Sequence, residues 1–231
     1  MGASRLAGVS RHWSEPTLRH LTRLVPLDVL WYINSKEGKF SLTFDDGPHQ
    51  DVTPQLLDVL ARHQAKATFF LIGQRVIGNE SIVRRIAFEG HELANHLMRD
   101  DPSILLPDPE FRRQLRQVTS LLAPYGQVRW FRPGSGWVTR RMVRSAAEMN
   151  LRCALGTVVA RHTGGASDER IARRLVGQIR RGTIAVLHEG SPDRLGVAAT
   201  ADSVLAELGH RGLTSVTLSE LVEVRRSAGS T

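Results

Sequence analysis

Apolar residues recur along this chain with two periods that take turns. Short apolar runs that read as buried strands occupy 40–44, 67–72, 92–95, 128–131, 151–155, 184–187 and 214–218. Between them apolar positions fall three and four apart, which predicts helices over 54–63, 81–88, 109–122, 138–149, 169–180, 198–208 and 218–225. In the first of these, Leu56, Leu57, Leu60 and Ala61 share one face, with Thr53 as the expected N-cap and Pro54 at the first helical position. Asp108 and Pro109 repeat that start. Seven strands, each followed by a helix, imply an α/β protein with a parallel sheet covered on both faces. An open doubly wound sheet and a closed barrel satisfy the pattern equally. No internal repeat, low-complexity tract or Pro/Ser-rich linker interrupts it, so a single domain is expected.

The 231 residues are 41% hydrophobic, 23% charged and 6% aromatic, a composition that excludes disordered, collagen-like and disulfide-stapled chains. The single cysteine, Cys153, rules out an intramolecular disulfide and a cysteine-based zinc site, and its place inside a predicted strand assigns it to the core. Net charge is +8, carried almost entirely by arginine. The arginines come as scattered pairs, such as Arg84-Arg85 and Arg112-Arg113, beside apolar residues at helical spacing. They read as solvated helix faces, with a functional basic patch as the competing reading. No aromatic interleaving offers a stacking platform for single strands, and no nucleic-acid partner is expected. The longest apolar candidate, 24–33, contains Pro26 and Asp28 and falls short of the ~18 residues of a membrane span. Residues 1–17 hold no apolar run of a secretory leader, and Leu6 stands where myristoylation at Gly2 requires Ser or Thr. The expectation is a cytoplasmic protein.

In parallel sheets of either kind, active sites gather beyond the C-terminal strand ends. There the chain places Asp45, Asp46, Gly47 and Pro48 after the first predicted strand, and His96, Asp100 and Asp101 after the third. Arg132 and Pro133 follow the fourth, and His188 and Glu189 the sixth. Each has a plain structural reading: Asp-Asp-Gly-Pro is good turn chemistry, and a lone histidine is often a hydrogen-bonded structural one. Their joint arrival on one rim is improbable by chance, so a shared site is expected. A carboxylate and an imidazole from separate strands, with a further carboxylate, form a mixed N/O set suited to Zn2+ or a similar divalent ion. Such an ion polarises a carbonyl and acidifies water. A second carboxylate can take the water's proton, and a histidine across the pocket can protonate a departing amine. Neighbouring strand residues point opposite ways unless the strand has ended, so the adjacent aspartates divide into one ligand and one base.

Thr43-Phe44-Asp45-Asp46-Gly47-Pro48, then Ala67-Thr68-Phe69-Phe70-Leu71, then Gly90-His91-Glu92-Leu93-Ala94-Asn95-His96 resemble the polysaccharide deacetylase (NodB-homology) family, carbohydrate esterase family four. Arg132-Pro133 and Val186-Leu187-His188-Glu189-Gly190 are similar to its later motifs, in the same order. The resemblance runs from about Lys39 to Leu221. It implies a distorted (β/α)7-8 barrel over 39–225 with its active site at the C-terminal strand ends. Residues 1–38 would be an N-terminal extension packed on the barrel, and 226–231 a tail. The implied activity is a metal-dependent hydrolase, a deacetylase cleaving the amide C–N bond of N-acetylated sugars such as chitin oligomers. By the same resemblance Asp45 is the general base, Asp46 and His96 are metal ligands, Arg132 orients Asp45, and His188 is the general acid. The backbone near Gly134 would help stabilise the oxyanion. The implied cofactor is Zn2+, with Co2+, Ni2+ or Mn2+ as alternatives.

Three stretches depart from the family pattern. Where the family has His-Ser/Thr-x-x-His, this chain reads His96-Leu97-Met98-Arg99-Asp100, so Asp100 is expected as the third ligand, with Asp101 competing. After Arg132-Pro133 the usual aromatic gives way to Gly134-Ser135-Gly136, and Trp137 is expected to fill the substrate wall. Where the family places an aspartate to orient the acid histidine, the chain offers His162 or Thr163, with Asp168 and Asp193 as substitutes. Alternative readings are hydrolysis of a small cyclic amide or ureide on the same metal, and a non-catalytic glycan-binding domain. Acetate release separates them, whereas a nucleic-acid binder would show steep salt dependence.

Overall fold

Strand β2 (Lys39–Gly47) runs through the centre of the sheet and alternates strictly. Phe40, Leu42 and Phe44 face the surrounding helices, while Ser41, Thr43 and Asp45 take the other face. The computed structural model describes residues 28–160, 167–190 and 194–227. Around β2 lie β1 (Val29–Leu30), β3 (Ala67–Leu71), β4 (Glu92–Asn95), β5 (Trp130–Phe131), β6 (Arg152–Ala154), β7 (Val158–Val159), β8 (Ile184–His188) and β9 (Thr214–Ser215). Their order is β1-β6-β5-β4-β3-β2-β8-β7, with β9 added at the start of β2, and every ladder is parallel. The outer layer is α1 (Val52–Arg62), α2 (Gly73–Val76), α3 (Glu80–Phe88), α4 (Asp108–Leu122), α5 (Arg140–Ala147), α6 (Asp168–Gln178), α7 (Val197–His210) and α8 (Leu218–Ser227).

The sheet curls into a distorted, incompletely closed barrel. The chain just past β1 reaches across to the approach to β8, where Tyr32 bridges Thr183 and the Ile33 N–H donates to the Gly182 carbonyl at 2.9 Å. Only glycine fits there, since a Cβ on Gly182 would lie 1.7 Å from the Ile33 oxygen. Inside the curl, Leu30, Ile33, Phe70, Ala94, Trp130, Ala154 and Ile184 pack on one another, with Leu218 and Leu221 of α8 closing it from beneath. Outside, a large cluster joins β2 and β3 to α1, α6 and α7. A third cluster packs α4 and α5 on Phe131 and Cys153. Cys153 is buried as expected, and burial pushes its thiol up to about 12.

Several local expectations need correction. Helix α1 begins at Val52, and Thr53 does not cap it. The Thr53 hydroxyl instead accepts from the His49 N–H and donates to Glu189. Asp108 is the first residue of α4 rather than its cap, and its carboxylate takes the Arg112 Nε–H four residues on. The predicted 214–218 strand shortens to two residues because Leu218 already opens α8. Strands β1 and β7 and helix α2 were not expected. Residues 29–33, read as part of an extension, belong to the sheet and its closure. Among the described residues no helix is long and apolar enough to cross a membrane.

Candidate active site

The inward-facing positions at the C-terminal strand ends converge. Arg132, one residue past β5, is buried, and its guanidinium lies 3.9 Å from the centre of the Phe70 ring. Its Nε donates to the Ala154 carbonyl at 3.0 Å and its Nη2 to Leu155 at 2.6 Å. Its Nη1 serves the Thr43 hydroxyl at 2.8 Å and Asp45 Oδ1 at 2.5 Å. Asp45 is thereby locked in orientation, and its free Oδ2 stands 4.0 Å from His188 Nε2 at the end of β8.

Between Asp45 and Gly47 the register of β2 against β3 shifts, and Asp46 takes the left-handed conformation at φ 71°. That break in the pleat lets two consecutive carboxylates serve one rim. Asp46 Oδ1 lies 3.3 Å from His96 Nε2. His96 Nδ1 sits 2.8 Å from the Arg132 carbonyl, which only accepts, so Nδ1 carries a proton and Nε2 is the nitrogen left to face Asp46, donating to it when the ring is protonated and free to ligate when it is not. With that Nε2 proton displaced, the two groups fit a shared cation, because metal–ligand distances of about 2.0–2.2 Å span such a pair. Asp46 Oδ2 takes Arg194 Nη1 at 2.5 Å.

Asp100 does not join the pair. The backbone turns left-handed at Leu97 (φ 65°), whose side chain is buried, and the chain leaves the rim for the surface. The Asp100 carboxylate is 59% exposed and 3.6 Å from Arg75 Nη2. Asp101 is exposed too, with its carbonyl oxygen facing Gly134. Among the described residues no group of three His, Cys, Asp or Glu side chains is assembled to hold an ion. Of the three expected ligands, Asp46 and His96 are the two that the structure brings together.

Electrostatics follow the geometry. Burial opposes the charge on Asp46, but the His96 bond and the positive groups around it prevail and hold its carboxyl well below the usual range. Burial also works against the His96 imidazolium, yet the Asp45 and Asp46 charges raise it overall. At His188 burial wins and lowers it against the pull of the same two carboxylates. Glu189 is fully buried and pushed up to about 8 by desolvation, which keeps it protonated at neutral pH. Its Oε2 accepts from Thr53 at 2.5 Å, and Oε1 has no hydrogen-bond partner among the described residues.

Trp137 is exposed beyond β5. Gly134 is buried, its carbonyl accepts from Ser103, and a Cβ there would meet the Asp101 oxygen at 2.7 Å. Asp168 lies against Gly196 and Thr200 rather than on His188. His162, Thr163 and Asp193 lie outside the described residues. Arg194, Arg75 and the Thr53–Glu189 pair were not anticipated. Glu189 alone had a signal, its place beside His188 at a strand end.

An incompletely closed parallel barrel with this rim defines a (β/α)-barrel hydrolase. The polysaccharide deacetylase family profile matches residues 33–154. A peptidoglycan-N-acetylglucosamine deacetylase of Bacillus cereus is 31% identical over 200 residues, covering 85% of this chain and 94% of that protein. A chitooligosaccharide deacetylase of Bradyrhizobium sp. is 35% identical over 156 residues, or 65% of this chain and 70% of its own. Among solved structures, a peptidoglycan N-acetylglucosamine deacetylase superimposes with a TM-score of 0.81 at 27% identity, covering 87% of this chain and 95% of its own. A family 4 acetyl xylan esterase of Clostridium thermocellum, in complex with cobalt, gives 0.75 at 28% identity over 80% of this chain and 91% of its own. The chain belongs to the polysaccharide deacetylase family, whose members are in general metal-dependent hydrolases of carbon–nitrogen bonds other than peptide bonds.

Proposed function

We propose that this chain removes the acetyl group from N-acetylglucosamine units of a glycan of the peptidoglycan or chitin type, with Zn2+ as the resident ion. The observation that carries the reading is the pairing of two oriented groups on one rim. Asp45 is clamped by Arg132 and faces His188, while Asp46 Oδ1 faces Nε2 of His96. Asp46 and His96 would hold the ion, which when bound polarises the acetyl carbonyl and acidifies water.

The chain's own groups then divide the proton work. Asp45, held in orientation by Arg132, takes a proton from the attacking water at Oδ2. His188 delivers a proton to the departing amine nitrogen, so the C–N bond breaks to acetate and a free amino sugar. The backbone at Gly134 would assist at the oxyanion, and exposed Trp137 offers an apolar face to a sugar ring. Arginine pairing on the helix faces supports a reading without nucleic acid: Arg112 bonds Asp108 and Glu148, Arg113 bonds Glu110, and Arg85 bonds Asp58 and Glu89.

The test is acetate release from N-acetylglucosamine oligomers, with and without chelator. Activity should vanish on chelation and return with Zn2+ or Co2+. Asp45→Asn should lower kcat by roughly 10²–10⁴-fold while keeping its metal. Turnover untouched by metal removal would overturn the reading. Glycan binding without acetate under every metal would favour the non-catalytic alternative.

A further inference from the structure

Strand β3 lies between β2 and β4, and the stretch leaving it is bonded to the rims on both sides. The Leu71 carbonyl accepts from the His96 N–H at 3.0 Å. The Ile72 N–H donates to Gly47 at 2.9 Å, Gly73 to Leu97 at 2.9 Å and Gln74 to Met98 at 3.1 Å. One short segment therefore spans the gap between the turn that carries Asp46 and the turn that carries His96. Both turns pass through the left-handed region, at Asp46 and at Leu97. Non-glycine residues rarely adopt that conformation unless their surroundings hold them there.

Arg75, the residue after Gln74 in α2, supplies such a hold. Arg75 Nη1 donates to the Asp46 carbonyl, and Nη2 lies 3.6 Å from Asp100 Oδ2 beyond His96. The guanidinium passes beside Gly190, two residues after His188, where a Cβ would sit 2.1 Å from Nη1 and 2.6 Å from the Asp46 oxygen. Arg75 thus touches the chain leaving β2, β4 and β8. A planar fork holds its donors in fixed directions toward a carbonyl and a carboxylate, whereas lysine's three donors sit on one compact charge at the end of a flexible stem.

We propose that Arg75 is a positioning residue that fixes the separation of Asp46 from His96, by clamping the Asp46 carbonyl while tying down the loop beyond His96 through Asp100. The inference rests on the role given to the Asp46–His96 pair above. Arg75 touches neither substrate nor the reacting atoms in this assignment. Its side chain is 30% exposed, so replacing it leaves the core intact.

Arg75→Met, Arg75→Lys and Asp100→Asn are compared with the parent in three measurements. The first is hydrogen exchange of the metal-free proteins over residues 40–50. The second is Co2+ affinity, with its visible absorption spectrum. The third is kcat and KM for acetate release. Arg75→Met should exchange faster across the Asp46 turn, bind Co2+ about tenfold or more weakly with an altered spectrum, and lose kcat with little change in KM. Arg75→Lys should recover part of the loss, and Asp100→Asn should lose less than Arg75→Met. Co2+ affinity within about twofold of the parent in Arg75→Met, below the usual cost of losing a supporting contact, overturns the proposal. So does an Asp100→Asn loss as large as that of Arg75→Met, since the effect would then run through the carboxylate alone and the clamp on the Asp46 carbonyl would carry none of it. Because Co2+ is read without substrate, Arg75-dependent binding without acetate release sinks the deacetylase reading alone. Arg75-independent binding with acetate release sinks this proposal alone.

Discussion

At Arg132 the protein buries a full positive charge and satisfies it with two carbonyls, the Thr43 hydroxyl and Asp45. Removing one partner of such a pair leaves the other charged and dry, which costs far more than the pair contributes. Arg132→Met should therefore destabilise the fold by roughly 3–5 kcal/mol in urea titrations and abolish turnover with it. A loss under about 1 kcal/mol, the size of an exposed ion pair, would show that water reaches Asp45. The Arg194–Asp46 pair differs, because Arg194 is 29% exposed and solvent screens the contact.

At the scale of elements, the short helix α2 depends on a missing side chain. A Cβ on Gly73 would lie 2.3 Å from Met98 Sδ and 2.7 Å from Val118 Cγ2 on α4. The methionine can swing away, but Val118 is fully buried in a packed helix. Gly73→Ala should cost roughly 1–3 kcal/mol, read as a shifted denaturation midpoint. The long elements were legible in the sequence because their periods persist: 92–95 matches β4, and 67–72 and 184–187 match β3 and β8 to within a residue. β1 and β7 have two residues each and no period of their own, so their strand character comes from β6 and β8. The same limit governs the site. Asp45, His96, Arg132 and His188 sit at or one residue past strand ends, where direction follows from the pleat, and Asp46 joins them through the break in β2. Asp100 lies beyond a left-handed turn that no spacing rule foresees. Arg75 and Arg194 reach Asp46 from 29 and 148 positions away, so only the fold joins them to it.

For the molecule as a whole, one buried imidazole ties stability to pH. His91 precedes β4 at the end of the barrel away from the rim of Asp45 and His188, and its Nδ1 accepts from the Ala67 N–H. Burial, with the Lys66 and Arg85 charges, lowers it to about 4. The unfolded chain therefore takes up this proton between about pH 6.5 and 4 while the folded chain refuses it. The sign is a loss of stability as pH falls through that window, levelling below 4 at about 3 kcal/mol from this group. His91→Asn can keep the Ala67 bond through its carbonyl oxygen and should flatten melting temperature against pH over the window. An unchanged slope would assign the effect to other groups.

The floor of the barrel has a consequence for how the protein is made. Leu218 and Leu221 plug the interior from beneath, and the helix that bears them is the last element in the described chain. During translation the ribosome delivers every strand and every residue of the rim before that plug emerges. A nascent polypeptide can hold all its chemistry and still present an open, greasy bore to its surroundings. Chaperone shielding or stalling late in synthesis would act on that interval.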